Sequence, residues 1–545
     1  MIMKYFKQIT LSIMALAILS CESETVEDLR DRADPDSDVV MPELTNGDAD
    51  FSKYVAIGPS FTAGFADGSV FRASQENSFP NTLAKQFANA GGGEFIQPLV
   101  SDNFGGLAAG GNRIADPRLV FGGAGPAPLE AVVGPVTVGT DIILNNPTGP
   151  FNNYGVPGAK SFHFIAAGYG NAANLPAAAN PYAVRLTGST PNATILDLAS
   201  AQDATFFTAD LIGGNDVLGY ATSGGDVNID QITDQATFTF AFNSIINAMT
   251  ANGAKGAVTN IPYVSTLPYF TTVPHNPLDP NDPSFGPQIP TLNGVFGQIN
   301  LVYAALGFPE RSIVFSTTEA SPVIIKDETL TNISAQMTAA FNSSPTFVPF
   351  IQSLGLPPAA APQVANLLGV AYGQCRPATA NDLLTLPSST VIGTVNNNFF
   401  SFLTAQGIPA ALAGQFAVEG ISYPLDDRWV LLPAEITEIN TAVDGYNQTI
   451  SNVASANNLA LVDVKDILSQ AGITGIQFDQ FNLNSSLVFG GLVSLDGIHL
   501  TARGYALMAN AFLEAIDTTY GSNFKASGNL AKAEDFVVMY SPTLQ

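Results

Sequence analysis

The chain has 545 residues, of which 46% are hydrophobic and only 12% charged, and its formal net charge is −26 at pH 7. That balance excludes nucleic-acid binding, because nothing can neutralise a run of phosphates, and excludes adsorption to anionic lipid through a basic patch. The 49 Gly and 36 Pro predict many turns and long loops around a core that the length amply supports.

In chain order, the first segment is "MIMKYFKQITLSIMALAILSC", with Lys4 and Lys7 ahead of an apolar run too short to span a bilayer. It has the layout of a secretory signal, and its end resembles a bacterial lipoprotein signal in which residues 1–20 are removed and Cys21 is acylated. Leu19 is bulkier than the usual residue before such a cysteine. This implies a lipid-anchored protein of a Gram-negative cell envelope, on the periplasmic or the exposed side of the outer membrane. Residues 22–50 hold 11 acidic and 2 basic residues, so residues 21–50 read as a solvated, disordered tether. Its start, "CESE", resembles a surface-export signal and serves equally as a charged spacer. The second cysteine, Cys375, has no partner once Cys21 is lipidated, and it reads as a buried, inert thiol.

The folded part is predicted over residues 51–545. "YVAI" (54–57) is a short apolar strand ending at glycine, and "SFPNTLAKQFANAGG" (78–92) is a helix with Pro80 in its first turn. Residues 93–200 read as short strands and loops. "ATFFTADLIGG" (204–214) is a strand, residues 233–253 a helix with a Thr/Asp start, and "KGAVTNIP" (255–262) a strand. Residues 264–430 form a long Pro-studded insertion with the character of a cap or lid; within it, "NPLDPNDPS" reads as a polar loop, its carboxylates lacking a Ca²⁺-ligand spacing. Residues 433–458 are the clearest helix, with Ile436, Ile439, Val443, Tyr446, Ile450 and Val453 spaced 3-4-3-4-3. A strand at 459–464 and a helix at 501–516 follow. Alternating strands and helices predict a mostly parallel sheet covered on both faces.

Four separated segments make a coherent site. Ser60, in "GPSFTAGF", sits at a strand-to-turn junction, where it is a nucleophile if a base reaches it and otherwise a turn or capping serine. "FNNYGVPGAKSF" (151–162) is an open glycine loop whose N–H groups can face a developing oxyanion. "LIGGNDV" (211–217) ends a strand at Asn215, a side-chain donor over the same edge or an ordinary turn residue. "SLDGIHLTARGYALMANAF" places Asp496 three residues before His499, just ahead of a helix, so that a carboxylate can orient an imidazole base. Of the three histidines, His163 reads as a core residue and His275 as part of a solvent-facing loop, which leaves His499 as the base.

The order Ser, Gly, Asn, Asp-x-x-His resembles the four blocks of the SGNH/GDSL hydrolases, and "FADGSVFRASQENSFPNTLAKQF" and "NIPYVSTLPYF" look like a lipoprotein branch of that family. The resemblance implies a three-layer α/β/α, flavodoxin-like fold with a mostly parallel sheet, and ester hydrolysis with no metal or organic cofactor. It implies Ser60 as nucleophile, His499 as base and Asp496 as its orienter. The implied oxyanion hole is the Ser60 N–H, the Gly158 N–H in preference to that of Gly155, and the Asn215 amide. Two positions depart from the family's first block: Pro59 stands in place of Asp and Phe61 in place of Leu. Proline cannot accept the bracing hydrogen bonds of that aspartate, but it stiffens the turn. The implied substrate is an ester of a lipid, a short acid or an acetylated glycan. The alternative is a catalytically retired surface lipoprotein that binds a ligand or glycan on the same scaffold. The apolar stretch 340–373 reads either as the lining of an acyl-chain pocket or as core.

Overall fold

Five short, buried runs set the frame of the computed structural model, which describes residues 41–544: β1 Tyr54–Gly58, β2 Asn153–Gly155, β3 Phe206–Ala209, β4 Lys255–Thr259 and β5 Ala460–Val462. All pair in parallel, in the order β5-β4-β3-β1-β2. The register puts Ala56 beside Asn153 and Thr208, and Ala257 beside Ala460. β1 and β3 are buried along their whole length, as strands covered on both faces must be.

The period-2 alternation of the strands sorts their side chains between two cores. Val55, Ile57, Phe207 and Val258 face the helices Gln235–Thr250 and Pro433–Ala456. Tyr54, Ala56, Phe206 and Ala257 face the helices Phe79–Ala88 and Ala502–Tyr520. The predicted stripe of the long helix is where it packs: Ile439, Val443, Tyr446 and Ile450 are buried, each contributing roughly 1.5–3 kcal/mol of burial. Asp234 caps Gln235–Thr250 by accepting from the Ala236 and Thr237 N–H groups, which accounts for the sharp start read there.

Three differences from the sequence expectations have physical causes. Residues 153–155, read as part of a loop, are β2; their polar and glycine composition hides a strand that is only three residues long. Asn215, read as a side-chain donor or an ordinary turn residue, begins a helix, Asn215–Thr222. Residues 41–50, read as part of the tether, are fastened to the end of Ala502–Tyr520: Asp48 N–H donates to Tyr520 O at 2.8 Å and Thr45 N–H to Asn523 Oδ1 at 2.7 Å. The signal segment 1–20, Cys21 and the tether up to residue 40 lie outside the described residues. Among the described residues no helix is long and apolar enough to cross a membrane.

Between β4 and β5 the insertion builds its own core from Val273 to Leu432. The helices Ile289–Leu306, Ser334–Ser343 and Ala361–Tyr372 carry much of it. Arg376 stitches its interior, bidentate to Asp382 at 2.7 and 2.8 Å and 2.6 Å from Asp327. Cys375 is buried there beside Tyr303, and burial pushes its thiol up to about 12, consistent with an unreactive group. Phe347–Ser353 and Ala361–Tyr372 fold as helices within this core. The insertion's apolar pocket, between Leu356, Leu367, Phe399 and Phe416, shares no lining residue with the pocket at Ser60.

Candidate active site

β1 ends at Gly58 and delivers Ser60 to the carboxyl edge of the sheet at the strand where the order reverses, the place where open α/β sheets hold ligands. The following turn closes through Phe65 N–H to Ser60 O at 3.0 Å and Ala63 N–H to Pro59 O at 3.2 Å. Thr62 anchors it from two sides: its carbonyl accepts from Asn153 Nδ2 at 2.8 Å, and its Oγ1 donates to Asp210 Oδ2 at 3.4 Å. A carboxyl group therefore does brace this turn, but it comes from the end of β3 and not from position 59. Asp210 is fully buried, and burial holds its carboxyl far above the ordinary range, outweighing the hydrogen bonds from Thr62 and Thr259.

The two glycines of the second segment do different jobs. Gly155 N–H is committed to Asn153 Oδ1 at 2.9 Å, and a Cβ there would lie 2.2 Å from Ala63 N, so glycine lets β2 press against the nucleophile turn. Gly158 is exposed at φ +78°, and its N–H, like that of Ser60, meets no acceptor among the described residues. Asn215 begins its helix with Nδ2 donating to Ala159 O at 3.0 Å, which fixes the amide and leaves its second N–H for a ligand. Beside it, Asp216 accepts from Ser161 N–H at 2.7 Å and from Ser161 Oγ at 2.6 Å, tying the 158–161 loop to the start of the Asn215 helix.

The fourth segment is a tight turn, closed by Ser494 N–H to His499 O at 2.7 Å. Asp496 Oδ2 lies 2.8 Å from His499 Nδ1, and its Oδ1 accepts the Ile498 and His499 N–H groups, each at 2.9 Å. Gly68 N–H adds a bond to Oδ2 at 3.0 Å. Burial works to raise this carboxyl, but the adjacent imidazole and these donors outweigh it and hold Asp496 well below the usual carboxylate range. An ionised Asp496 fixes the proton on Nδ1, so Nε2 is the nitrogen available as a base. The imidazole is packed against Phe65, at 4.5 Å between ring centres, and Phe61, at 5.5 Å.

Ser60, Asn215 and His499 line one narrow pocket of about 50 Å³ with Phe61, Leu218 and Leu267. Gly158 is not part of that lining, and among the described residues no hydrogen bond joins Ser60 to His499. In unliganded sites such bonds commonly tighten only around the substrate. The other histidines stand apart. His163 accepts Lys160 N–H at 3.0 Å and stacks on Tyr169, and burial lowers its pKa to about 4. His275 is half-buried in the insertion.

Sequence reasoning missed the supports Asn153, Asp210 and Asp216, and also Asp67, whose Oδ1 accepts Leu495 N–H at 2.9 Å beside the Asp496 turn. Of these only Asp216 had a visible signal, its adjacency to Asn215. One carboxylate group has metal-ligand spacing among the described residues: Glu328, Asp427 and Glu435, with oxygens within 4.8 Å of one another, where the insertion meets Pro433–Ala456. Burial first, then hydrogen bonding with Glu328 and its charge, raises Asp427 and Glu435, so protons can satisfy the cluster. In the 276–284 loop, Asp279 and Asp282 accept from their own backbone at Asn281 and Ser284, the habit of turn residues. No family model, curated protein or solved structure matches the chain.

Proposed function

We propose that the chain is a serine ester hydrolase of the SGNH/GDSL type, carried on a cell-envelope lipoprotein anchored through Cys21. The observation that carries this reading is the Asp496–His499 pair, 2.8 Å apart, in a turn whose imidazole shares a pocket with Ser60 and Asn215. The parallel strand order 2-1-3-4-5, with helices on both faces, is an order that flavodoxin-like folds use, and it supports the proposed three-layer fold of such hydrolases.

In this mechanism His499 Nε2 takes the Ser60 proton as Oγ attacks the ester carbonyl carbon. The carbonyl oxygen becomes an oxyanion, which meets the Ser60 and Gly158 N–H groups and the free N–H of Asn215. Asp496 stabilises the imidazolium without taking its proton. The imidazolium then gives the proton to the leaving alcohol, and water, activated by the same base, releases the acid and restores Ser60. No step calls on a metal or an organic cofactor.

The test is labelling with a fluorophosphonate, paired with hydrolysis of p-nitrophenyl acetate. The reading requires covalent modification at Ser60 and loss of hydrolysis in Ser60→Ala and in His499→Ala, with the fold retained. Wild-type hydrolysis by Ser60→Ala would overturn the assignment of the nucleophile, and a wild type that is neither labelled nor hydrolytic would make a binding scaffold the better account.

A further inference from the structure

The Ser60 pocket adjoins a second one of similar size, about 50 Å³, and the two share five lining residues: Phe61, Leu211, Pro262, Leu267 and Ile498. The rest of the second pocket's lining includes Val464, Leu468, Val493, Leu507 and Met508, and none of Ser60, Asn215 and His499 lines it. Every side chain that lines it is apolar. Phe61, the residue after the nucleophile, stands at the junction, edge-on to Tyr505 at 5.8 Å between ring centres.

We propose that this second pocket receives the aliphatic end of the ester's acyl group, making the preferred substrates esters of short unbranched fatty acids. The proposal rests on the hydrolase reading above. Two features argue for an acyl chain. The pocket offers no hydrogen-bond partner, so a sugar hydroxyl placed there would lose its bonds to water without replacement. It also shares Phe61, the residue after the nucleophile, and four further walls with the Ser60 pocket, so a chain on the carbonyl carbon can pass from one into the other.

Size sets the length. A cavity of 150 Å³ takes benzene, so pockets of about 50 Å³ take roughly two carbons each. An acetyl group fills the first pocket and a butyryl group fills both. Each methylene buried contributes roughly a fourfold gain, so butyrate, with two more than acetate, is favoured by about fifteenfold. Chains beyond about four carbons gain nothing further. The assignment also separates the acyl site from residues 340–373, whose apolar helices enclose a different pocket.

The experiment measures kcat/KM for p-nitrophenyl acetate, butyrate, hexanoate and decanoate on the wild type, Leu507→Phe and Leu507→Ala. Leu507 lines the second pocket and not the first. Leu507→Phe is expected to cut butyrate cleavage about tenfold with acetate changed less than twofold, and Leu507→Ala to shift the optimum to hexanoate. If the larger side chain prevents folding, the shift in Leu507→Ala decides alone. An unchanged butyrate-to-acetate ratio, or a change seen instead along a series of alkyl acetates, overturns the proposal while acetate cleavage through Ser60 leaves the hydrolase reading standing. Cleavage unaffected by Ser60→Ala overturns both.

Discussion

Asp216 accepts two hydrogen bonds from Ser161, 2.7 Å from its amide nitrogen and 2.6 Å from its hydroxyl. The pair joins the loop after β2 to the helix that begins at Asn215, so it sets the distance between two proposed oxyanion donors. Ser161→Ala removes one of the two bonds at little change in volume. The expected result is a kcat for p-nitrophenyl acetate about tenfold lower, with KM within twofold, since the lost precision affects the oxyanion and not the ground-state ester. A rise in KM at constant kcat would place Ser161 in substrate binding instead.

Asp496 is the orienting member of the proposed triad, and its replacement tests orientation apart from bulk. Asp496→Asn keeps the size but removes the charge that steadies the imidazolium and fixes the proton on Nδ1. A fall in kcat of roughly 10³–10⁴ is expected, with fluorophosphonate labelling of Ser60 slowed in parallel. The wild-type carboxyl is held well below the usual range, so its contribution to stability is present above the ordinary carboxylate pKa and is lost only as the pH falls through its depressed folded value. Between pH 5 and 9, no change in activity should therefore arise from Asp496 itself.

Asp67 behaves in the opposite sense. Burial first, then the nearby Asp496 charge, raises its carboxyl to about 7 against the pull of the Leu495 N–H. The folded state therefore keeps a proton that the unfolded chain has released, and stability falls as pH rises from about 4 through 7. A carboxyl raised that far gives up roughly 4 kcal/mol of stability by the upper end of that window. Asp67→Asn mimics the neutral acid and tolerates the positive φ of 52° found there. Urea unfolding should show the variant gaining on the wild type between pH 5 and pH 8, and equal pH slopes for the two proteins would exclude the buried proton.

The sequence was most legible where periodicity or a cap left a mark. The stripe Ile439-Val443-Tyr446-Ile450 and the Asp234 cap pointed to helices that the structure contains. The adjacency of Asp496 and His499 survives as a hydrogen bond because the three-residue spacing is closed by a single tight turn. What stayed hidden depends on chain segments far apart in sequence. Asp210 reaches Thr62 across 148 residues, and Asn153 reaches Thr62 across 91, so neither support carries a local signal. Pro59 left open what braces the nucleophile turn, and the bracing carboxyl of Asp210, just past β3, could be found only in three dimensions. β2 was too short and too polar to register as a strand, although its register beside β1 is what positions the glycine loop.

Gly155 and Gly158 look interchangeable in "YGVPG", and the structure separates them by cause. At Gly155 a methyl group would sit 2.2 Å from Ala63 N and 2.5 Å from its Cα, both backbone atoms that cannot step aside without moving the nucleophile turn. Gly155→Ala is therefore expected to cost about 2–3 kcal/mol of stability and to abolish ester cleavage. At Gly158 the nearest atom to such a methyl is Asn180 Nδ2 at 3.8 Å, so space is available and only the φ of +78° resists. Gly158→Ala is expected to cost about 1 kcal/mol and to keep the fold, while the strained backbone turns the N–H away from the oxyanion and lowers kcat by roughly 10²-fold. Thermal melts with kinetics on the same two preparations check the contrast. A Gly158→Ala protein with unaltered kcat would remove that N–H from the oxyanion hole and leave Ser60 and Asn215 as its donors.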